Sequence, residues 1–158
     1  MVSMQPVTQS YLEEPESCFK IVPKEYKSKS LMSTLMCCSP LFAYLAQISL
    51  LDTMLDSDEF TGSCFAPCEE YCKRYMHIFI DKTDHLTARK IVLASLLPNR
   101  ITKDQLFKDY EILPTLDRYA LMYIDSDKML INHNLKIVRP NINCSNSTIH
   151  LLNGVISP

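Results

Sequence analysis

The fold is decided by a C-terminal stretch that reads Asn146-Ser147-Thr148-Ile149-His150-Leu151-Leu152-Asn153-Gly154-Val155-Ile156-Ser157-Pro158. Within it, the segment from Thr148 to Ile156 combines β-branched and aliphatic residues, a composition typical of strands. Asn146 precedes this segment and is predicted to be a turn residue able to adopt a left-handed backbone. His150 has apolar neighbours on both sides, which predicts a hydrogen-bonded structural histidine in the core.

Three further strands are predicted directly upstream, at Tyr119 to Ile124, Lys128 to Asn132 and Leu135 to Val138. Aspartate, asparagine and proline turn signals separate these segments, in which apolar residues follow a period of two. The connecting turns are short enough to join antiparallel neighbours. The C-terminal third of the chain is therefore expected to consist of antiparallel strands.

The N-terminal two thirds carry helix signals instead. Ser39-Pro40 combines a capping hydroxyl with a proline at the first helical position, and the helix is expected to run to about Leu55. Thr102 and Gln105 form a capping box for a later helix. Other helices are predicted from Leu31 to Cys37, from Pro67 onward, and from a cap at Thr83 or Asp84 as far as Pro98. Helices followed by strands predict an α+β fold.

Two parts of the chain differ in composition. Residues 1–27 are predicted to be a polar N-terminal arm, because they contain Pro6, Pro15 and Pro23 and show no sustained periodicity. Residues 28–158 are predicted to form the domain. With 158 residues and 47% hydrophobic residues, the chain has the size and balance of one globular domain with a substantial core.

Charge and hydropathy exclude several classes of partner. A formal net charge of −2 leaves no positive excess for phosphates, so no nucleic acid is expected. The N-terminus has no apolar core typical of a secretory signal, so we expect an intracellular, cytoplasmic protein. The apolar run from Leu31 to Leu55 is interrupted by polar residues, so no membrane span is expected. We expect a monomer or a weak oligomer.

Seven cysteines, an odd number with irregular spacing, indicate reduced thiols rather than a disulfide framework. Cys64, Cys68 and Cys72 recur every four residues, and a helix would bring the last two together as possible soft-metal ligands. The same spacing is typical of a buried stripe, which we favour, so no metal and no cofactor are expected. A cysteine-based metal-binding or redox-sensing domain remains the alternative interpretation.

A small hydrolase is the third hypothesis, with a cysteine nucleophile activated by His150 or His77. Nothing in the local sequence supports such a pair, so the chain is expected not to be an enzyme. Asn143 and Asn146 each begin a formal glycosylation triplet, which matters only if the chain is secreted.

Three stretches in order together resemble the fasciclin domain family: a helix pair ending in Leu50-Leu51-Asp52-Thr53-Met54-Leu55, the segment Phe65-Ala66-Pro67-Cys68-Glu69-Glu70, and the C-terminal stretch. The resemblance extends from about Leu31 to Pro158. Several residues fall directly on the family's motifs, namely Phe65, Ala66, Pro67, Asn146, Ile149, His150 and Pro158. Leu151 is apolar where the family has valine, and Glu69 replaces an aspartate. The family's Tyr-His pair appears here as Ala94 and Ser95.

The resemblance implies a fasciclin-like wedge or sandwich in which the first motif and the last strand pack side by side. It also implies structural roles for the motif residues, and a function in adhesion, usually outside the cell. Integrin-type recognition in the family has been tied to the Tyr-His region, which is replaced here. The leading hypothesis is therefore a non-catalytic interaction module of the fasciclin class that binds a protein or glycan partner.

Overall fold

The computed structural model describes residues 24–157. The predicted arm up to Pro23, and the motif residue Pro158, lie outside these residues. Within them the chain forms six helices, namely α1 (Leu31–Cys38), α2 (Pro40–Ile48), α3 (Asp52–Asp56), α4 (Glu69–Lys82), α5 (His85–Ala94) and α6 (Lys103–Asp109). The same residues form seven strands, namely β1 (Gly62–Pro67), β2 (Leu96–Leu97), β3 (Ile112–Pro114), β4 (Leu121–Asp125), β5 (Leu130–Ile131), β6 (Ile137–Asn143) and β7 (Ser147–Leu152). The α+β class is confirmed.

Two sheets organise these strands, a four-stranded sheet ordered β2-β1-β7-β6 and a three-stranded sheet ordered β3-β4-β5. The predicted antiparallel pairing in the C-terminal third is found between β4 and β5 and between β6 and β7. The first motif and the last strand lie side by side, as the family resemblance implies. They pair in parallel over six residue pairs, from Gly62 with Ser147 to Pro67 with Leu152.

The strands β1 and β7 separate two hydrophobic clusters, because alternate side chains of a strand point to opposite faces. Cys64 and Ile149 belong to the cluster that the helices cover. Phe65 and Leu152 belong to the second cluster, which includes residues of β4, β5 and α6. All six residues of each strand are buried, so neither strand has a face turned to solvent, and polar residues such as Ser63 and His150 are buried with the apolar ones.

Strand β1 is longer than the sequence predicts. Cys64 to Ala66 reads as a short apolar entry to a helix beginning at Pro67, whereas Pro67 is the last residue of the strand. The Cys68 N–H then donates to the Leu152 carbonyl at 2.7 Å, and Cys68 becomes the N-cap residue of α4. The predicted helix start at Pro67 is therefore wrong by two residues.

Two other helix ends differ from the prediction. The helix expected to run to Leu55 ends at Ile48, because Leu50 adopts a left-handed backbone with φ of 61°. Hydrogen bonds from Leu50 and Leu51 N–H to the carbonyls of Gln47 and Ala46 complete a Schellman-type end. Helix α5 ends at Ala94 rather than continuing to Pro98, because the next residues pair with β1 as strand β2.

The last four residues of the predicted arm, 24–27, pack against α3. The Asp52 carboxylate accepts hydrogen bonds from Lys24 Nζ at 2.8 Å and from the Tyr26 hydroxyl at 2.7 Å. Burial alone would raise the pKa of Asp52, but these two partners together outweigh it and lower the pKa. The boundary at residues 27 and 28 stays a prediction.

None of the helices within residues 24–157 combines the length and the apolar character needed to cross a membrane.

Candidate functional site

His150 lies at the centre of the four-stranded sheet and is fully buried. Its Nε2 atom lies 2.8 Å from the Ile101 carbonyl oxygen, and its Nδ1 atom accepts a hydrogen bond from the Asn141 N–H at 3.1 Å. These partners assign the proton to Nε2 and leave the ring neutral. Burial lowers the pKa of His150, although the bond to Ile101 opposes the shift. Neither ring nitrogen is free to activate a nucleophile.

The other motif residues of the described part lie within β1 and β7 or within two residues of these strands. Phe65 pairs with His150 in the strand register, and the two ring centroids lie 5.1 Å apart. Buried positions in β1 and β7 are also occupied by Ala66, Pro67, Ile149 and Leu151. Glu69 differs from them because it is exposed in the first turn of α4. There its charge suits the helix dipole.

Asn146 does not adopt the left-handed backbone that its sequence position predicts, whereas Asn141 does, with φ of 59°. The Asn146 side-chain amide instead donates to the Asp58 carbonyl, which ties the β6–β7 turn to the segment before β1. Asn143 is exposed, and its side-chain oxygen accepts a hydrogen bond from Arg100. A glycan on Asn146 would have to replace the contact of its side-chain nitrogen to Asp58, whereas at Asn143 the bond to Arg100 uses the side-chain oxygen and not the nitrogen that carries a glycan.

The three regularly spaced cysteines do not share one helix. Cys64 is buried in β1, Cys68 caps α4, and Cys72 is buried within α4. The Cys72 sulfur lies 3.7 Å from both the Ser39 hydroxyl and the Pro67 carbonyl. Burial raises the pKa of Cys64 and of Cys72, which disfavours the thiolate form required of a nucleophile or metal ligand.

Other thiols lie close to Cys64 in the core. Cys38 and Cys144 both raise the pKa of Cys64 further through electrostatic repulsion. Burial raises the pKa of Cys38 itself to about 11. Within residues 24–157, no group of three or more histidine, cysteine, aspartate or glutamate side chains is arranged to hold a metal ion.

An open cleft of about 610 Å³ lies between α5 and the turn that joins β3 to β4. Leu86, Arg89, Lys90 and Leu93 form its helical wall, with the spacing of residues on one helix face. Residues 116–120 form the opposite wall. The cleft therefore combines apolar side chains with cations.

The turn that forms the second wall is fixed by its own hydrogen bonds. The buried Thr115 accepts from the Asp117 N–H at 3.2 Å, and its hydroxyl lies 2.7 Å from the Ala120 carbonyl. The Asp117 N–H also donates a hydrogen bond to the Leu93 carbonyl at 3.2 Å, and this bond attaches the turn to α5. Arg118 packs over the Tyr119 ring, 5.0 Å from its centroid. Both side chains are thus presented from a structured turn.

This cleft was not predicted from the sequence. Leu86 was assigned to a helix and Tyr119 to the start of a strand, whereas β4 begins at Leu121. The spacing of Leu86, Arg89, Lys90 and Leu93 was an available signal of a mixed apolar and basic helix face. Nothing in the sequence indicated that residues 116–120 would lie opposite it.

Comparison with known proteins decides the family. The sequence model of the fasciclin domain matches residues 37–158. The chain belongs to the fasciclin domain family. No match was found among curated proteins.

The fold of this fasciclin domain is also found among solved structures. It is similar to a domain pair from the insect cell adhesion molecule fasciclin I, with 16% sequence identity and a TM-score of 0.64. The alignment covers 82% of this chain and 51% of the other, so the chain spans about half the length of that pair. At this identity the likeness shows the fold alone.

Fasciclin domains are generally adhesion or protein-interaction modules. In this domain the positions corresponding to the family's Tyr-His pair, Ala94 and Ser95, are both buried at the end of α5. The Ser95 hydroxyl donates to the Ile91 carbonyl at 2.7 Å. These two side chains are therefore buried inside the domain, so a partner cannot contact them.

Proposed function

We propose that this fasciclin domain is a non-catalytic interaction module that binds a protein or glycan partner. The observation that carries the proposal is the cleft between α5 and the β3–β4 turn. It is open, it presents exposed apolar and cationic side chains, and its turn is held by internal hydrogen bonds. A preformed surface of this kind lowers the ordering cost of binding.

The alternatives based on catalysis or redox chemistry find less support in the described residues. A hydrolase would need a thiol and a base in contact with each other and with substrate. Cys72 and His150 are instead buried, and each already contacts groups of the protein. Redox sensing would need an accessible thiolate of low pKa, whereas burial raises the pKa of Cys38, Cys64 and Cys72.

Binding of the purified full chain to a displayed peptide library and to a glycan array tests this proposal. We expect saturable binding to members of at least one of the two collections, lost when the domain is thermally unfolded. A Cys72→Ala variant should bind as the wild type does. The proposal fails if neither collection is bound while an esterase or peptidase screen finds an activity that Cys72→Ala abolishes.

A further inference from the structure

The cleft concentrates positive charge on a chain that is acidic overall. Arg89, Lys90 and Arg118 line it, and none of the three forms an ion pair with an acidic side chain of residues 24–157. The two ion pairs formed among the described residues, Lys24–Asp52 and Lys27–Asp58, lie outside the cleft. On a chain with a net charge of −2, the cleft therefore holds three positive side chains and one negative one, Asp117.

The acidic residue of the cleft, Asp117, is engaged within its own turn. One of its carboxylate oxygens accepts a hydrogen bond from the Tyr119 N–H at 3.0 Å. It forms no ion pair with the neighbouring Arg118. A ligand that carries carboxylates would supply the missing partners, since guanidinium groups offer paired donors that match them.

Apolar surface lies beside these charges. Leu86 is 63% exposed and Tyr119 is 85% exposed, and both line the cleft. Leu93 and Leu116 are half-buried in its lining. A sulfated glycan would satisfy the cations but would leave most of this apolar surface in water. A peptide with both acidic and apolar side chains covers both kinds of surface.

The volume of the cleft is that of a site for a few side chains of a partner. Its volume of about 610 Å³ falls within the roughly 300–1,000 Å³ typical of sites that enclose a small ligand. It is bounded on one side by a helix and on the other by a turn, and it is open to solvent. An extended segment can lie along it with successive side chains facing the two walls.

We infer that this cleft binds an extended acidic peptide segment of a partner protein. Carboxylates of the segment pair with Arg89, Lys90 and Arg118, and an adjacent aliphatic or aromatic side chain packs against Leu93 and Tyr119. The inference rests on the proposed interaction function and specifies the partner class for that function. Because the charge pairs lie at a solvent-exposed rim, binding weakens as the ionic strength rises.

Selection from a library of random displayed dodecapeptides on the full chain tests the inference without assuming a sequence. We expect enriched peptides to combine several aspartates or glutamates with an aliphatic or aromatic residue. An R89E/R118E variant should bind the enriched peptides at least about tenfold more weakly in fluorescence anisotropy. Tyr119→Ala should weaken binding severalfold.

A control variant carries the same change of charge outside the cleft. Lys128 and Lys136 are exposed and do not line the cleft, so K128E/K136E should bind the peptides within about twofold of the wild type. Thermal unfolding of both double variants should match that of the wild type. If the cleft variant unfolds early, R89Q/R118Q replaces it, with a smaller expected loss of affinity of at least about threefold, because it removes attraction without adding repulsion.

Several outcomes would overturn the inference while leaving an interaction function intact. They are enrichment of neutral or basic peptides, equal affinity for both double variants, and binding of heparin oligosaccharides in place of acidic peptides. A fourth outcome that would overturn it concerns the chain's own N-terminal segment, which contains Glu13, Glu14 and Glu16. If their replacement by glutamine raises the affinity for peptides more than about tenfold, that segment and not a partner is the occupant. Absence of any peptide or glycan binding would instead remove the interaction function itself.

Discussion

The strand pair β1–β7 and the cleft beside α5 are opposite in character. In the strand pair, every residue is buried and both nitrogens of His150 have partners. In the cleft, Leu86 and Tyr119 are exposed, and Arg118 has no acidic partner among residues 24–157. The residues that carry the family resemblance are thus mostly inaccessible, whereas the residues able to bind a partner lie outside the motifs.

This difference has a physical cause. A central parallel strand pair constrains both faces and the backbone, so few side chains fit at each position. Exposed residues of a helix or turn can change with little cost in stability, usually within about 0.5 kcal/mol. Substitutions in the strand pair should therefore lower the stability of the domain, whereas substitutions in the cleft should mainly weaken binding.

The largest effect on stability is expected at the start of β1, for Gly62→Ala. A Cβ atom at this position would lie 2.3 Å from the Leu97 carbonyl oxygen, so the β1–β2 pair would have to move apart. We expect a loss of about 3 kcal/mol in the free energy of unfolding, the upper end of the usual cost of overpacking. Urea denaturation followed by circular dichroism measures it.

Gly154→Ala is the matched control for this change. Its Cβ would meet the end of the Leu135 side chain at 3.0 Å, which can rotate away. The expected cost is about 1 kcal/mol or less. Equal losses for the two alanine variants would show that the close approach of the Leu97 carbonyl does not constrain β1.

The next effect is expected for His150→Leu, which leaves the buried Ile101 carbonyl without its partner and also removes the acceptor of the Asn141 N–H, at an exposed residue. The unsatisfied Ile101 carbonyl should cost about 1–3 kcal/mol in the free energy of unfolding, and the Asn141 N–H should add little because water can reach it. His77 is exposed on α4, so His77→Leu should change stability by less than about 0.5 kcal/mol. An unchanged midpoint for His150→Leu would contradict a structural role for the ring.

The pH dependence of stability should report the same histidine. Because burial lowers the pKa of His150 in the folded state below its ordinary value of 6.5, the unfolded chain binds a proton more readily. Stability therefore falls as the pH decreases from 6.5 toward the lowered value. The stability difference between wild type and His150→Leu should narrow over this range, and a constant difference would contradict the prediction.

The smallest effect on stability is expected in the cleft turn, for Thr115→Val. The substitution keeps the shape of the side chain but removes the hydroxyl that contacts Asp117 and Ala120. We expect a loss of about 1 kcal/mol in stability and a larger proportional loss of peptide affinity, because the turn is no longer preorganised. Thr61→Val, at an exposed position before β1, is the control. If peptide affinity is unchanged in Thr115→Val, the turn does not order the cleft.

Sequence patterns predicted those elements whose signals are local. A cap was predicted at Thr83 or Asp84, and Asp84 is the one found, accepting a hydrogen bond from the Thr87 N–H at 2.8 Å. The capping box of Thr102 and Gln105 is confirmed. The short strands β2 and β3 were missed because two or three residues carry no detectable period. Strand β6 was expected to end at Val138 but continues through Pro140, which is tolerated because β6 is an edge strand with bulges.

The sequence by itself determined the α+β class, through its helix caps and its alternating strands, and the ordered motifs at Phe65 to Glu70 and Asn146 to Pro158 determined the family resemblance. The tertiary structure alone decided which strand lies beside the last one, since the pairing of β1 with β7 joins residues 85 positions apart, as in Phe65 with His150. It also decided where a partner could bind. The cleft exists because the turn after Thr115 folds back onto α5, and no local pattern encodes a contact between segments so far apart.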